Sequence, residues 1–469
     1  MPVETLHSKD LSHLFTETTK RRDNSPLKSL TKYMVQDPML VSLGAGLPHP
    51  STFPIATLTA SIAQPGASVL DETKDKQLVS IHARHASSAV EGLEKFLQYG
   101  NGRGMSSYAA FVRQHTQQVH KPLYEDWDVI LSAGNTDAFV KALMLFCDPG
   151  DALIVDEWTY PAIIGTVVPM GIQLVPVAMD GQGMVPEALD RALKEFQGPR
   201  APRMAYMIPT AQNPTGATMS LERKRAIYSV AQVHDLVIIE DDPYYYLQFD
   251  KYREPEANVS AEERLGRLPG VDRLLPSLLS LDTDGRVIRL DSFSKILAPG
   301  LRCGWITAPR YMTDKIQFHN ETTIQQPSGL SQALVSKLLN EDWGHSGWEK
   351  HLVQTQKEYA LRRDIFVDLC REKLAGIVEF TVPEAGMFLW FRVLLREELQ
   401  GRKGIMDEVF ESMVRSHVLL VPGRMFAAVE GQEGPFMRAA FSYASVDDLA
   451  VAVDRLRAAL EPFTQTKQE

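Results

Sequence analysis

The sequence predicts an α/β protein: a large, mainly parallel sheet covered by helices, with a smaller α+β domain. Three observations carry this. From Asp128 onward, short β-rich apolar runs alternate with helical stretches. Those runs are apolar on both faces, as strands buried within a parallel sheet are. Beyond about residue 344 the texture changes to short strands set among charged helices. A chain of 469 residues is also too long for one simple core, so two domains are expected.

Taken in order, residues up to Pro54 are turn-rich ("SPLK", "LGAGLPHP") and read as an arm. Residues 64–89 are polar and weakly patterned and read as a surface insertion. Then come "DVILSAG", a helix over Asn135–Phe146, "ALIVD", "IQLVPVAM", "RMAYMIPT", a helix near 221–234, "DLVIIED", "RVIRLDS" and "RCGWITAP". A long charged helix over 348–373 leads to "GIVEF", "GMFLWFRV", "VLLVPG" and "FMRAAFSYAS", and a last helix covers Val446–Leu460. The expected division is an arm with a small-domain segment at 1–97, a large domain at 98–343 and a small domain at 344–469.

Composition removes several classes of function. The formal net charge of −10 argues against nucleic-acid and membrane-surface partners; the basic triplet Lys20, Arg21, Arg22 reads as solvated surface. Three isolated cysteines, Cys147, Cys303 and Cys370, give neither a disulfide framework nor a metal spacing, and the histidines show none either. The start lacks the apolar stretch of a secretory signal, and no apolar run is long enough to span a bilayer. No metal is expected, and the cytoplasm is the expected compartment.

In open α/β sheets, ligands bind beyond the carboxyl ends of the strands. Four such ends are polar here: Gly134, Asn135 and Thr136; Gln212 and Asn213; Asp241 and Asp242; and Ser292, Phe293, Ser294 and Lys295. A lysine, an acid, an arginine and small hydroxyls together suit pyridoxal phosphate. The amine joins the aldehyde and moves a proton, and the carboxylate keeps the pyridine nitrogen protonated. The phosphate calls for a helix N-terminus with hydroxyl and guanidinium donors.

The strings "NPTG" (213–216), "EDDPYY" (240–245), "SFSK…GLRCGW" (292–305) and "MRAAFS" (437–442) stand in this order. Here the chain resembles class I aminotransferases of fold type I over nearly its whole length. The arm, "QYGNGRG", "IIEDDPYYYLQF" and "AGMFLWF" narrow the resemblance to fungal aromatic aminotransferases and kynurenine/2-aminoadipate aminotransferases. The resemblance implies that Lys295 is the Schiff-base lysine, that Asp242 pairs with the ring nitrogen, and that Tyr160 stacks on the ring. It sets Asn213 and Tyr245 at the ring hydroxyl oxygen. Gly134, Asn135, Thr136, Ser292, Ser294 and Arg302 fall at the phosphate, although relatives often show Ser and Gln where Asn135 and Thr136 stand. Tyr99 is expected to reach the phosphate of a neighbouring subunit, which implies a homodimer. Tyr244 and Tyr246 read as packing, and Asp241 as structural.

By the same resemblance, Arg438 clamps the substrate carboxylate, while Gly46, Leu27, Leu47 and Phe388 line its pocket and Lys28 holds a distal carboxylate. Apolar walls suit phenylalanine, tyrosine or tryptophan as donor, with 2-oxoglutarate as acceptor; the expected partners are thus a small amino acid and a 2-oxo acid. Three other readings stay open: a 2-aminoadipate or kynurenine aminotransferase, a transaminase of one secondary pathway, and a lyase or decarboxylase on the same fold. Ser292 to Lys295 also fits the S-x-x-K pattern of acyl-serine enzymes, but the companion S-D-N and K-T-G strings do not occur. A regulator built on this fold would need a DNA-binding domain, for which the residues before Pro54 are too few.

Overall fold

The computed structural model describes residues 6–464 apart from 30–32, 34–35, 38, 42, 45, 69–72, 85–86 and 88; the side chains of Leu27 and Ser29 also lie outside the described residues. The chain divides into two compact units. The first comprises Met1–Pro149, Ala231–Pro243 and Pro276–Gln354, and the second Gly150–Val230, Tyr244–Leu275 and Thr355–Glu469.

The large sheet has seven strands. Four belong to the first unit, in the order Trp127–Ser132, Gly304–Pro309, Val287–Ser292, Val237–Asp241. Val237–Asp241 and Val287–Ser292 run parallel, whereas Gly304–Pro309 runs antiparallel to both its neighbours. Three strands belong to the second unit, Met204–Met207, Ala152–Asp156 and Gln173–Val177, all parallel. Every residue of Ala152–Asp156, Val237–Asp241, Val287–Ser292 and Gly304–Pro309 is buried. This explains the largely apolar runs: a strand covered on both faces has no solvent side, and the polar residues within them, Arg289 and Asp291 among them, are buried.

Antiparallel pairing at one edge was not legible in the sequence, because a strand buried on both faces reads alike in either direction. The helix Asn135–Phe146 forms where expected, and its buried residues include Ala138, Phe139, Ala142, Leu143 and Phe146. Spacings of three and four keep these on one face. In the first unit Thr57–Ala63 also pairs antiparallel with Lys76–His82, so part of the polar stretch 64–89 is a strand. Its alternating burial is the period-2 pattern of a one-sided hairpin.

The second unit carries a four-stranded antiparallel sheet in the order Val378–Glu379, Phe388–Val393, Phe436–Ala440, Val421–Pro422. The long helix Gly344–Lys373 and the helix Val446–Leu460 form with it the short-strand, charged-helix texture read from the sequence. Among the described residues no helix is long and apolar enough to cross a membrane. The three cysteines are buried and unbridged.

Candidate active site

In the first unit, polar groups gather where the strands Trp127–Ser132, Val237–Asp241 and Val287–Ser292 end. Gly134 precedes the first turn of the helix Asn135–Phe146 with φ +97°, a left-handed conformation that favours glycine. A Cβ on Gly134 would also lie 2.4 Å from an Arg302 guanidinium nitrogen. The positive φ therefore favours glycine there, and a Cβ would push the Arg302 guanidinium aside. Arg302 Nη2 donates to the Ala133 carbonyl at 2.6 Å, and Nη1 reaches Ser294 Oγ at 3.3 Å. Ser292 Oγ accepts from the Ser294 amide at 3.0 Å and donates to Ser294 Oγ at 2.8 Å. Free helix amides, two hydroxyls and a guanidinium form one donor cluster, the chemistry of an anion site. Thr136 is exposed in the first helical turn. Lys295 follows Ser294 at the end of a single 3₁₀ turn and is half-buried.

The two adjacent acids part company. Side chains alternate along a strand, so Glu240 and Asp242 share one face and Asp241 takes the other. On the first face Arg289, fully buried, binds Asp291 Oδ1 at 2.9 Å, Glu240 Oε2 at 3.2 Å and Asp242 Oδ2 at 3.3 Å. Glu240 also accepts the amides of Leu278 and Leu279 at 2.7 and 3.1 Å. Burial pushes Asp291 up to about 6, with Glu240 and Asp241 adding to the shift and Arg289 opposing it. On the other face Asp241 Oδ1 accepts from Asn135 Nδ2 at 2.6 Å, and the same amide donates to the Leu290 carbonyl at 3.0 Å. The Asn135 side chain thus serves an acid, leaving its backbone amide for the helix terminus. Asp242, the acid singled out in the sequence, sits in the arginine cluster; Asp241 sits with the helix that opens the donor cluster.

The arm residues behave differently. Lys28 is half-buried and donates to the Gly100 carbonyl beside Tyr99, which is 59% exposed. Gly46 and Leu47 are exposed, so the described chain assembles no apolar pocket around them. The side chain of Leu27 lies outside the described residues.

In the second unit, Arg438 stands on the strand Phe436–Ala440, opposite Trp390. Nη1 donates to Asn213 Oδ1 at 2.7 Å, and the guanidinium lies 4.3 Å from the Phe388 ring centre and 4.9 Å from that of Phe426. Its Nε is buried with no hydrogen-bond partner among the described residues. Burial lowers its pKa, while Tyr244 and Tyr160 act the other way. Tyr160 is half-buried just before the helix Pro161–Val167. Tyr244 packs edge-on to Phe388, with ring centres 5.6 Å apart. Tyr245, expected at a ring oxygen, instead donates its hydroxyl to the Leu275 carbonyl at 2.9 Å and packs on Tyr246. The tyrosine near Arg438 is therefore Tyr244, which the sequence reading had set aside as packing. The signal that could have found it is spacing: Tyr244 stands three residues after Asp241, as Tyr245 does after Asp242.

The family described as aminotransferase class I and II matches residues 69–456. The chain is 35% identical to an aromatic amino acid aminotransferase of Schizosaccharomyces pombe, over 97% of this chain and 98% of the relative. It is 33% identical to an L-tyrosine:2-oxoglutarate aminotransferase of Tapinella panuoides, over 94% of each. Among solved structures, aminotransferase Aro8 of Candida albicans superposes with a TM-score of 0.89 at 34% identity, covering 98% of this chain and 99% of that one. With a lysine, paired acids and a donor-rich helix terminus at the strand ends, and with likeness along nearly its whole length, the chain belongs to the class I and II aminotransferases and is a transaminating enzyme.

Proposed function

We propose that this enzyme moves the α-amino group of an aromatic L-amino acid (phenylalanine, tyrosine or tryptophan) to a 2-oxo acid such as 2-oxoglutarate, using pyridoxal 5'-phosphate. The observation that carries the proposal is the donor cluster of the first unit, which joins the helix start at Asn135 to Ser292, Ser294, Arg302 and the adjoining Lys295. The residues fit the cofactor: a phosphate needs such donors, and the Arg302 guanidinium is held against Gly134 and Ser294 to meet it.

When bound, the cofactor supplies an aldehyde and a protonated pyridine ring that takes up the electrons freed at the substrate α-carbon. The chain's own groups do the rest. Lys295 Nζ supplies the amine and carries the proton away from and back to carbon. Asp241, held by Asn135, is the carboxylate assigned to the ring nitrogen in place of Asp242, which is assigned to the Arg289 cluster. Tyr244 takes the place expected of Tyr245, and Asn213 retains its amide hydrogens for the ring oxygen while its Oδ1 holds Arg438. Tyr160 is assigned to the ring face.

Arg438 binds the substrate α-carboxylate. A guanidinium with a partnerless buried Nε is set up for one more acceptor. The flanking rings of Phe388 and Tyr244 favour an aromatic donor, and the names of the fungal relatives point the same way. We further assign a homodimer, supported by Tyr99, Leu43 and Leu47, all exposed apolar side chains of the arm and its neighbourhood. Within it, Tyr99 serves the neighbouring subunit's phosphate, and Gly46, Leu27 and Leu47 complete the substrate pocket. Lys28 has ammonium donors beyond the one given to Gly100 with which to hold a distal carboxylate. Residues 98–343 form the cofactor domain of this reading, and the cytoplasm is its compartment.

Borohydride reduction of the purified protein followed by peptide mapping tests the cofactor. The expected label is on Lys295, and a label elsewhere, or none after reconstitution, removes the proposal. Amino-donor profiling with 2-oxoglutarate and phenylpyruvate as acceptors tests the substrate class. A donor preference for 2-aminoadipate or kynurenine over all three aromatic amino acids would replace it.

A further inference from the structure

We infer that Asn135 is a positioning residue, whose side-chain amide fixes the Asp241 carboxylate and ties it to the helix terminus of the donor cluster. This rests on the reading that Asp241 serves the ring nitrogen. Asn135 Nδ2 lies 2.6 Å from Asp241 Oδ1 and 3.0 Å from the Leu290 carbonyl. Both partners are acceptors, so the amide nitrogen and not the oxygen must face them, and both of its hydrogens are used. The second bond goes to the strand position directly beside Asp241 in the parallel ladder. One side chain thus spans the carboxylate and the backbone that carries its neighbour.

A helix start does not by itself require an asparagine at this place. The residue preceding the first turn is Gly134, with no side chain to cap it, and the Asn135 side chain reaches across to the sheet instead of back to the helix. Asn135 is also the first residue of the helix whose free amides belong to the donor cluster. A shift of that terminus is therefore passed to the Asp241 carboxylate through a single short bond. The grip on the phosphate and the hold on the ring nitrogen become one rigid unit. A hydroxyl at position 135 is too short to make both bonds, which gives the departure from serine a physical consequence.

The test compares Asn135→Ala, Asp241→Asn and Asp242→Asn holoenzymes by three readouts. These are the pH midpoint of the bound cofactor's visible absorbance, the cofactor dissociation constant, and the first half-reaction with phenylalanine. Asn135→Ala is expected to move the midpoint in the same direction as Asp241→Asn but less far. It should weaken cofactor retention and slow the half-reaction by about tenfold each, the worth of one hydrogen bond to a charged group. Asn135→Asp, which sets like charges together, should be worse than Ala in all three. If Asn135→Ala does not fold, Asn135→Ser is read in its place with the same expectation. A midpoint unchanged in the Asn135 variants while Asp241→Asn moves it would overturn the inference and leave the choice of acid standing. A midpoint moved by Asp242→Asn and not by Asp241→Asn would overturn both.

Discussion

The two units hold their charged groups in contrasting ways. In the first, anion donors are drawn from the backbone and from short side chains: a helix terminus, two serines, and an arginine pinned to the Ala133 carbonyl. In the second, a single guanidinium is framed by aromatic rings, with one amide oxygen as its hydrogen-bond partner and a buried Nε left over. Two buried acid sites differ as well. In the first unit Glu240, Asp242 and Asp291 share Arg289. Asp156 of the second is fully buried with the Gln212 amide at 3.2 Å, and burial raises it to about 7, with Glu157 adding to the shift. On the proposed function, the contrast sets a permanent ligand against fixed backbone geometry, and a ligand that comes and goes against a cation held in a soft apolar frame.

The largest effect expected from breaking this contrast is in the first unit. Lys295→Ala should lower the half-reaction by several kcal/mol of barrier, about 10⁴-fold or more, measured by the decay of the cofactor absorbance on mixing with phenylalanine. Next comes the choice between the two faces of the strand Val237–Asp241. Asp241→Asn should cost on the order of 10³-fold in the same assay. Asp242→Asn should lower the melting temperature more than the rate, since it removes a charge from a buried arginine cluster. The reverse ranking would return the ring nitrogen to Asp242.

Arg438→Ala sharpens the comparison from the other side. It should reduce kcat/KM for amino acid and 2-oxo acid alike by about 10²-fold while the bound cofactor's absorbance stays unchanged. Arg438→Lys should recover little of the loss, because a point charge does not reproduce a planar fork. A cofactor spectrum altered as strongly as by Asp241→Asn would show that the guanidinium belongs with the cofactor.

The smallest effect is on stability. Asp156 has its folded pKa raised from 3.8 to about 7, so between those values the folded state binds the proton more tightly than the unfolded one. Stability is therefore highest at the acid end of that window and falls as the pH rises through it. Asp291 contributes with the same sign, from 3.8 to about 6. Asp156→Asn keeps an acceptor for Gln212 and should flatten the upper part of this slope. Near pH 7.5 it should raise the melting temperature by about 2 °C or more. A melting profile with unchanged pH dependence would mean that Asp156 is ionised when folded.

Much of the fold was legible because burial on both faces leaves a largely apolar run. Ala152–Asp156 and Val237–Asp241 were found that way, up to the acids that end them, while Val287–Ser292 reads as a strand although it buries Arg289 and Asp291. The hairpin strand Lys76–His82 was missed, since apolar Leu78 stands on its exposed side and polar Gln77 on its inner side, which blurs its period of two. At the site, the motif strings marked the turn that carries Lys295 and the strand that carries Arg438, and the polar strand ends marked Gly134. They could not say which of two neighbouring acids, or which of three successive tyrosines, turns toward the chemistry. The arm was named as a pocket wall, yet Gly46 and Leu47 stand exposed in the chain by itself.

By itself, then, the sequence determined the family, the reaction class and the strand ends at which the polar groups collect. These depend on local order: an apolar run, a glycine before a helix, a lysine a fixed number of residues after a strand. The tertiary structure decided the facing of side chains and their partners. It set Asp242 on Arg289 and Asp241 on Asn135, and it gave the Tyr245 hydroxyl to Leu275. The physical reason is that a one-residue step along a strand reverses the side on which a group lies. Only the residues packed on that side, which come from distant parts of the chain, fix what the group can do.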